Sequence, residues 1–251
     1  MNKREMERGW VEIDLRALKG NVAHLRRIMQ PGCKLMAVVK ADAYGHGAVE
    51  VAKTLNLIGE DTFAVATIEE GITLRRHKIA GEILILGYTA PCRAADLQRF
   101  RLRQTVVDMA HAEALNAIGI PLEVEIKVDT GMHRLGIDVQ NVHEIEKVYE
   151  MNCLKICGIY SHLCVSDGTT EEEIDYNEKQ ISTFLSTDYK NWGRKNQDSV
   201  YASAKQLRTF ELSTTAVRLC AGGNCIIWYI VSEGGPSPQG GFIVSCHGDK
   251  I

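Results

Sequence analysis

Apolar segments alternate with amphipathic ones along the first 184 residues. WVEIDL (10–15) alternates apolar and polar positions and predicts a strand. LRALKGNVAHLRRIM (15–29) carries apolar residues at helical spacing. KLMAVVKA (34–41) reads as a buried strand with a lysine near its C-terminal end, followed by a helix over 47–58. The same alternation then repeats. Strands are predicted at 62–67, 82–88, 104–108, 124–131 and 157–163, and helices at 68–80, 93–100, 110–119, 142–152 and 171–185. Gly119 fits a helix C-terminal stop.

Strand and helix alternate about seven times with short connections, the pattern of a parallel sheet with covering helices. So many units favour an α/β fold closed as a (β/α)8 barrel of the TIM type over an open sheet. Active sites of such barrels collect at the C-terminal ends of the strands, and Lys40, Thr130, Arg134 and His162 all fall there or just beyond. After about residue 184 the periodicity collapses, and GGPSPQGG (234–241) is a breaker cluster with nothing periodic after it. The expected organisation is therefore a barrel domain over 1–184, incomplete at its C-terminal end, and an aberrant, poorly packed tail over 185–251.

Composition narrows the function without choosing it. The net charge is −3, so no basic surface argues for nucleic acid or an anionic membrane. No apolar run approaches the roughly 20 residues of a membrane helix, and MNKREMERGW lacks the apolar core of a signal peptide. A cytoplasmic location is expected. The eight cysteines form no CxxC pair and no matched set with histidines, so reduced thiols are expected and no metal site. GGPSPQGG lacks the Lys-Ser/Thr of a phosphate loop, and EEEID (171–175) reads as the acidic first turn of a helix.

Three segments carry candidate chemistry. In AVVKADAYGHG (37–47) a lysine ends a buried strand, where lost solvation lowers its pKa. A neutral amine can attack an aldehyde and form a Schiff base. Tyr44 can reach the same mouth, and Gly45 and Gly47 allow close backbone approach to a ligand. Taken alone, Lys40 is better read as a side chain snorkelling to solvent. IKVDTGMHRLG (126–136) sets Lys127, Asp129, His133 and Arg134 around a strand-to-loop transition that could also be a solvated turn. IYSHL (159–163) puts His162 at a strand end, where a lone histidine is more often structural.

Taken together and in this order, AVVKADAYGHG and KVDTGMHRLG, with FAVATIEEGITLR and EILILGYT, resemble the alanine racemase family of fold-type III pyridoxal-phosphate enzymes over about residues 8 to 184. The resemblance is strongest to the racemase domain of the vancomycin-resistance serine/alanine racemases. It implies pyridoxal 5'-phosphate as cofactor and a small amino acid, alanine or serine, as substrate, with D-amino acids supplied to peptidoglycan precursors. It also implies that Lys40 carries the cofactor and acts as a base, and that Tyr44 holds the phosphate. Lys127 corresponds to a lysine that is carbamylated in many members and orients Arg134, which acts on the substrate carboxylate. His162 supports the arginine facing the pyridine nitrogen. The family's second base is a tyrosine from a C-terminal β-domain of the partner subunit in a homodimer. Smaller single-domain relatives bind the cofactor without catalysis and serve its homeostasis, which is the competing reading.

The family's later motifs, including the phosphate loop, the pyridine arginine and the second-base tyrosine, are missing from the tail as written. Shifted by one nucleotide from near Phe184, the tail permits a string resembling the family's continuation. Tryptophan has one codon, so Trp228 before Tyr229 forces a glycine in the shifted frame, where the family has Leu-Tyr-Gly. A frameshift near residues 182–185, impaired cofactor binding, impaired turnover and a compromised dimer are the resulting expectations. Sequencing of codons 180–190 checks the first of these: an unshifted gene encoding the tail as printed overturns it.

Overall fold

Residues 13–29, 33–166, 169–186, 199–203 and 225–230 are described by the structure, a computed structural model. Asp14 accepts from the amides of Arg16 and Ala17 and so caps helix α1 (Leu15–Ile28), whose Leu18, Val22 and Leu25 turn inward. Units of strand and helix follow: β1 (Cys33–Val38), a short turn labelled α2 (Lys40–Tyr44), α3 (Ala48–Leu57), β2 (Thr62–Val65), α4 (Ile68–Arg76) and β3 (Glu82–Ile85). A 3-10 turn at Pro91–Arg93 leads into α5 (Ala94–Arg99), then come β4 (Arg103–Val106), α6 (Met109–Ala117) and β5 (Leu122–Asp129). The remaining elements are β6 (Ile137–Asp138), α7 (Val142–Tyr149), β7 (Leu154–His162), α8 (Glu171–Ser186), β8 (Ser199–Ser203) and β9 (Cys225–Ile230).

The strands pair in parallel as β1-β2-β3-β4-β5-β7-β8-β9, and β9 pairs back onto β1, with Cys33 opposite Cys225 and Val38 opposite Ile230. Eight parallel strands thus form a closed circuit, while β6 adds only two residues beside the end of β5. Every unit through β7 is followed by a helix or helical turn. Most of the tail expected over 185–251 falls outside the described residues. The two segments that are described are strands, which the sequence pattern did not predict. CIIWYI (225–230) is an unbroken apolar run, a form that strands of parallel sheets take and that periodicity alone does not recognise. The strand predicted at 10–15 falls mostly outside the described residues, and Leu15 belongs to α1.

Period-two alternation sorts side chains between two cores. Leu35, Phe63, Val65, Ile83, Ile85, Val124 and Ile126 face outward and pack with helix residues such as Leu55, Leu74, Leu97, Leu115 and Ile145. Met36, Val38, Ala64, Leu84 and Tyr160 form a smaller cluster inside the barrel. Near the N-terminal ends of the strands the interior is ionic. Arg103 lies 2.8 Å from Glu125, 3.1 Å from Glu82 and 3.8 Å from Glu123. Glu125 is fully buried, and its second carboxylate oxygen has no hydrogen-bond partner among the described residues. Burial outweighs the attraction of Arg103 and pushes the Glu125 carboxyl up to about 7. No helix among the described residues is long and apolar enough to cross a membrane.

Because the folded value for Glu125 lies above the ordinary 4.5, the folded protein holds this proton more tightly than the unfolded chain. Its contribution to stability is whole below about pH 4.5 and is lost as pH rises to about 7. Urea unfolding followed against pH is expected to show this loss, and Glu125→Gln to flatten it. Removing Arg103 takes away the attraction that holds this carboxyl down, so Arg103→Met is expected to move the loss of stability to higher pH in the same assay.

Candidate active site

Lys40 continues the alternation of Met36 and Val38, so its side chain is carried on the interior face of β1, at the strand's C-terminal end. The backbone then turns abruptly. Ala41, Asp42 and Ala43 have φ of 50°, 55° and 52° with ψ of 47°, 44° and 44°, and Tyr44 has φ of 54°. Four successive non-glycine residues in the left-handed region cost about 1–2 kcal/mol each and persist only when their surroundings over-determine them. Those surroundings are present. The Ala43 amide donates to Val39 O at 3.0 Å, the Gly47 amide to Asp42 O at 2.9 Å, and Asp42 Oδ1 accepts from the Ala48 amide at 2.7 Å. Ala43 is completely buried, and the Ala41 amide donates to Glu70 Oε1 at 2.7 Å. The turn brings the Tyr44 ring to 5.8 Å from Lys40 Nζ, measured to its centroid. Burial, reinforced by Arg134, lowers the Lys40 pKa, and Glu70 partly opposes the shift.

A second lysine enters the interior from β5. Lys127 is buried, pairs in register with Tyr160 of β7, donates to Val128 O at 3.2 Å and lies 5.8 Å from the Tyr160 ring centroid. The Tyr160 hydroxyl is held 3.0 Å from Thr105 Oγ1, which anchors the ring beneath the amine. Burial lowers the Lys127 pKa to about 8, with Asp129 opposing and Arg134 assisting. Beyond β5 the chain doubles back. Asp129 Oδ1 accepts from the amides of Gly131, Met132 and His133 at 2.9, 2.9 and 3.1 Å. Burial alone would raise this carboxyl, but those amides together with Lys127 and His133 hold it below its ordinary value. At Gly136, φ is +116° and a Cβ would sit 2.9 Å from Asp129 N, so only glycine lets the loop close against β5. Arg134 stands exposed on this loop, within electrostatic reach of both lysines.

His162 ends β7, half-buried, with its carbonyl accepting from Gln180 Nε2 at 3.2 Å. The same amide nitrogen donates to Thr130 Oγ1 at 3.2 Å, and Gln180 Oε1 accepts from the Cys164 amide at 3.1 Å. Thr130 Oγ1 also meets Ser161 Oγ at 2.7 Å. Gln180, almost fully buried on α8, therefore ties together the ends of β5 and β7. Neither Gln180 nor Glu70 was singled out in the sequence. Gln180 leaves no local signal, because its partners are 16 to 50 residues away. Glu70 does leave one: Thr67-x-x-Glu70 is a capping box, formed here in full.

Lys40, Lys127 and Arg134 thus converge at one rim of the barrel, and Arg134 disfavours the charged form of both lysines. Such a rim favours an anion and keeps an amine ready to lose its proton. Residues 13–219 match the alanine racemase N-terminal domain model. The chain belongs to this family. An amino-acid racemase of Enterococcus faecalis is 45% identical over 180 residues, 72% of this chain and 25% of that protein. A serine/alanine racemase of Enterococcus gallinarum is 42% identical over 179 residues, 71% of this chain and 26% of that protein. An alanine racemase of Desulfosudis oleivorans is 38% identical over 190 residues, 70% of this chain and 49% of that protein. The chain therefore spans between a quarter and a half of these curated relatives. Among solved structures, an alanine racemase from E. faecalis superposes with a TM-score of 0.76 at 28% identity, covering 94% of this chain and 62% of that one. An alanine racemase of Clostridium difficile in complex with cycloserine gives 0.75 at 29% identity, with coverages of 89% and 60%.

Alanine racemases depend on pyridoxal 5'-phosphate. The rim fits that group on its chemistry: an amine whose charge is disfavoured, and cations able to face a phosphate or a carboxylate. A lysine with a folded value near 8, below that of the unfolded chain, stabilises the fold less as pH falls from about 10.5 to 8. A nitrogen-detected NMR titration is expected to give a midpoint near 8 for Lys127, and Lys127→Met to abolish the stability change across that interval.

Proposed function

We propose that this chain forms the barrel portion of a pyridoxal-phosphate-dependent amino-acid racemase, with Lys40 as the lysine that holds the cofactor and as the base on one face of the substrate. The observation that carries this reading is the interior position of Lys40 at the barrel rim, with its charge disfavoured by burial and by Arg134. When bound, the cofactor supplies an electron sink for the pair left on the α carbon. The residues of the chain do the rest. The Lys40 amine loses its proton more readily than an ordinary lysine, so it can take the α-proton from the face it borders and return one to it. Tyr44, beside that amine, holds the phosphate. Arg134 draws the substrate carboxylate into the rim and disfavours the charged form of Lys40.

Lys127 is read as a carbamylated residue. An amine with a value near 8 is partly neutral at physiological pH and can add carbon dioxide, and the resulting negative charge would orient Arg134. His162 ends β7, the strand beside β5, and is read as the histidine that would support the arginine facing the pyridine nitrogen. Racemisation also needs a base on the opposite face, and none is placed there by the described residues. In the family that base comes from the partner subunit of a homodimer, which is the assembly proposed for the complete protein. The substrate is a small amino acid, alanine with serine as the alternative. The proposed product is a D-amino acid for peptidoglycan precursors, made in the cytoplasm.

Two measurements on the purified chain test this reading. With pyridoxal phosphate it is expected to develop a visible absorbance band that is absent in Lys40→Ala. In deuterated water, NMR is expected to reveal Lys40-dependent exchange of the α-proton of alanine, faster than the enantiomers interconvert. A band without exchange favours a cofactor-carrying protein over an enzyme, and the absence of both overturns the assignment of Lys40.

A further inference from the structure

Glu70 makes more contacts than a helix cap requires. A capping box at the start of α4 is satisfied once Thr67 and Glu70 exchange bonds, the Thr67 amide donating to Glu70 Oε2 at 3.2 Å and the Glu70 amide to Thr67 Oγ1 at 3.3 Å. The same carboxylate also accepts from the Ala66 amide at 2.6 Å, just past the end of β2, and from the Ala41 amide at 2.7 Å. The last contact spans 29 residues and reaches the peptide immediately after Lys40. The other described hydrogen bonds of the left-handed turn close on the turn itself or on its flanks, as between Ala43 and Val39 or Asp42 and Ala48. Glu70 thus links that turn to the neighbouring βα unit.

We propose that Glu70 is a positioning residue for Lys40: its carboxylate clamps the first left-handed peptide of the turn, the one that follows Lys40, to the end of β2. The clamp has a physical reason to exist. Ala41 has φ of 50°, a conformation that alanine leaves unless something outside the turn holds it. A charged acceptor on its amide is about the strongest single anchor a side chain can give. The charge has a second consequence. Burial and Arg134 both favour the neutral amine, and Glu70 is the group that works against them. The Lys40 amine is faced by Glu70 from α4, Arg134 from the loop after β5 and Tyr44 from its own turn. Glu70 sets how far the first two are balanced. The importance of this for catalysis rests on the reading of Lys40 as the cofactor lysine; the clamp itself does not.

The test uses the full chain and two readouts that need no turnover. Lysines are reductively methylated with 13C-formaldehyde, the Lys40 signal is identified by its absence in Lys40→Arg, and its titration midpoint is read by NMR. Hydrogen exchange of the peptide covering 40–44 is followed in parallel. Glu70→Gln is expected to lower the Lys40 midpoint and to speed exchange at Ala41 by roughly tenfold or more. Glu70→Asp keeps the charge but withdraws it by one methylene; it is expected to speed exchange while moving the midpoint less. Thr67→Ala removes the other half of the capping box and leaves the clamp, so it is expected to change neither readout while lowering the melting temperature. The proposal is overturned if Glu70→Gln and Glu70→Asp, both folded by circular dichroism, match wild type in both readouts. It is equally overturned if Thr67→Ala reproduces their effects, which would reduce Glu70 to a helix cap. Should Glu70→Gln fail to fold, the Asp and Thr67 variants decide the matter through exchange alone. Incubation with pyridoxal phosphate and borohydride separates the two ideas. A wild-type chain left unmodified at Lys40 sinks the cofactor reading, and the midpoint and exchange comparison still rules on Glu70.

Discussion

An amine on the inner rim of a parallel barrel is pulled in two directions. At Lys40, partial burial and the field of the Arg134 guanidinium both favour the neutral form, while the Glu70 carboxylate favours the charged one. Three parts of the architecture produce that balance at Lys40. β1 delivers the lysine on the interior face, the left-handed turn carries the chain away without obstructing the mouth, and β5 with its returning loop brings Arg134 and Lys127 to the same rim.

The two ends of the barrel are organised by opposite rules. At the N-terminal end of the strands, Arg103 is surrounded by Glu82, Glu123 and Glu125, so charge is matched by charge, and Glu82, Arg103 and Glu123 also line a cavity of about 670 Å³. At the C-terminal end, Lys40, Lys127 and Arg134 gather with Glu70 and Asp129, and the arginine weighs against the charged form of both lysines. This asymmetry fits the general division of such barrels into a stabilising floor and a working mouth. It is also consistent with membership of the alanine racemase family, which the match over residues 13–219 establishes.

Order at the mouth depends on side chains that bind the backbone and one another. Asp129 holds the loop bearing Arg134 by accepting three amides, Gln180 ties β5 to β7, and Tyr160 with Thr105 supports Lys127 from below. Each replaces loop entropy with several directed bonds, so that long side chains such as lysine and arginine approach from restricted directions. The left-handed turn after Lys40 is the extreme case: its conformation is costly for four successive residues and is tolerated because the contacts around it leave no cheaper path.

Much of this was legible in the chain itself. Period-two and helical spacing located the strands and helices from α1 to α8 within a few residues, because each buries one face and the pattern is local. The lysine at the end of β1, the loop of Lys127 to Arg134 and the histidine ending β7 could be named from neighbouring residues alone. Other features were decided only by tertiary structure. β8 and β9 carry no periodic signature and exist as strands by pairing with β7 and β1. The two-residue β6 is too short to leave a pattern, and the left-handed turn contradicts the preferences of alanine. Glu70 and Gln180 act through partners 16 to 50 residues distant. Local sequence reports which face a side chain takes along its own strand or helix. It does not report which backbone amide, far along the chain, the fold will bring to that side chain.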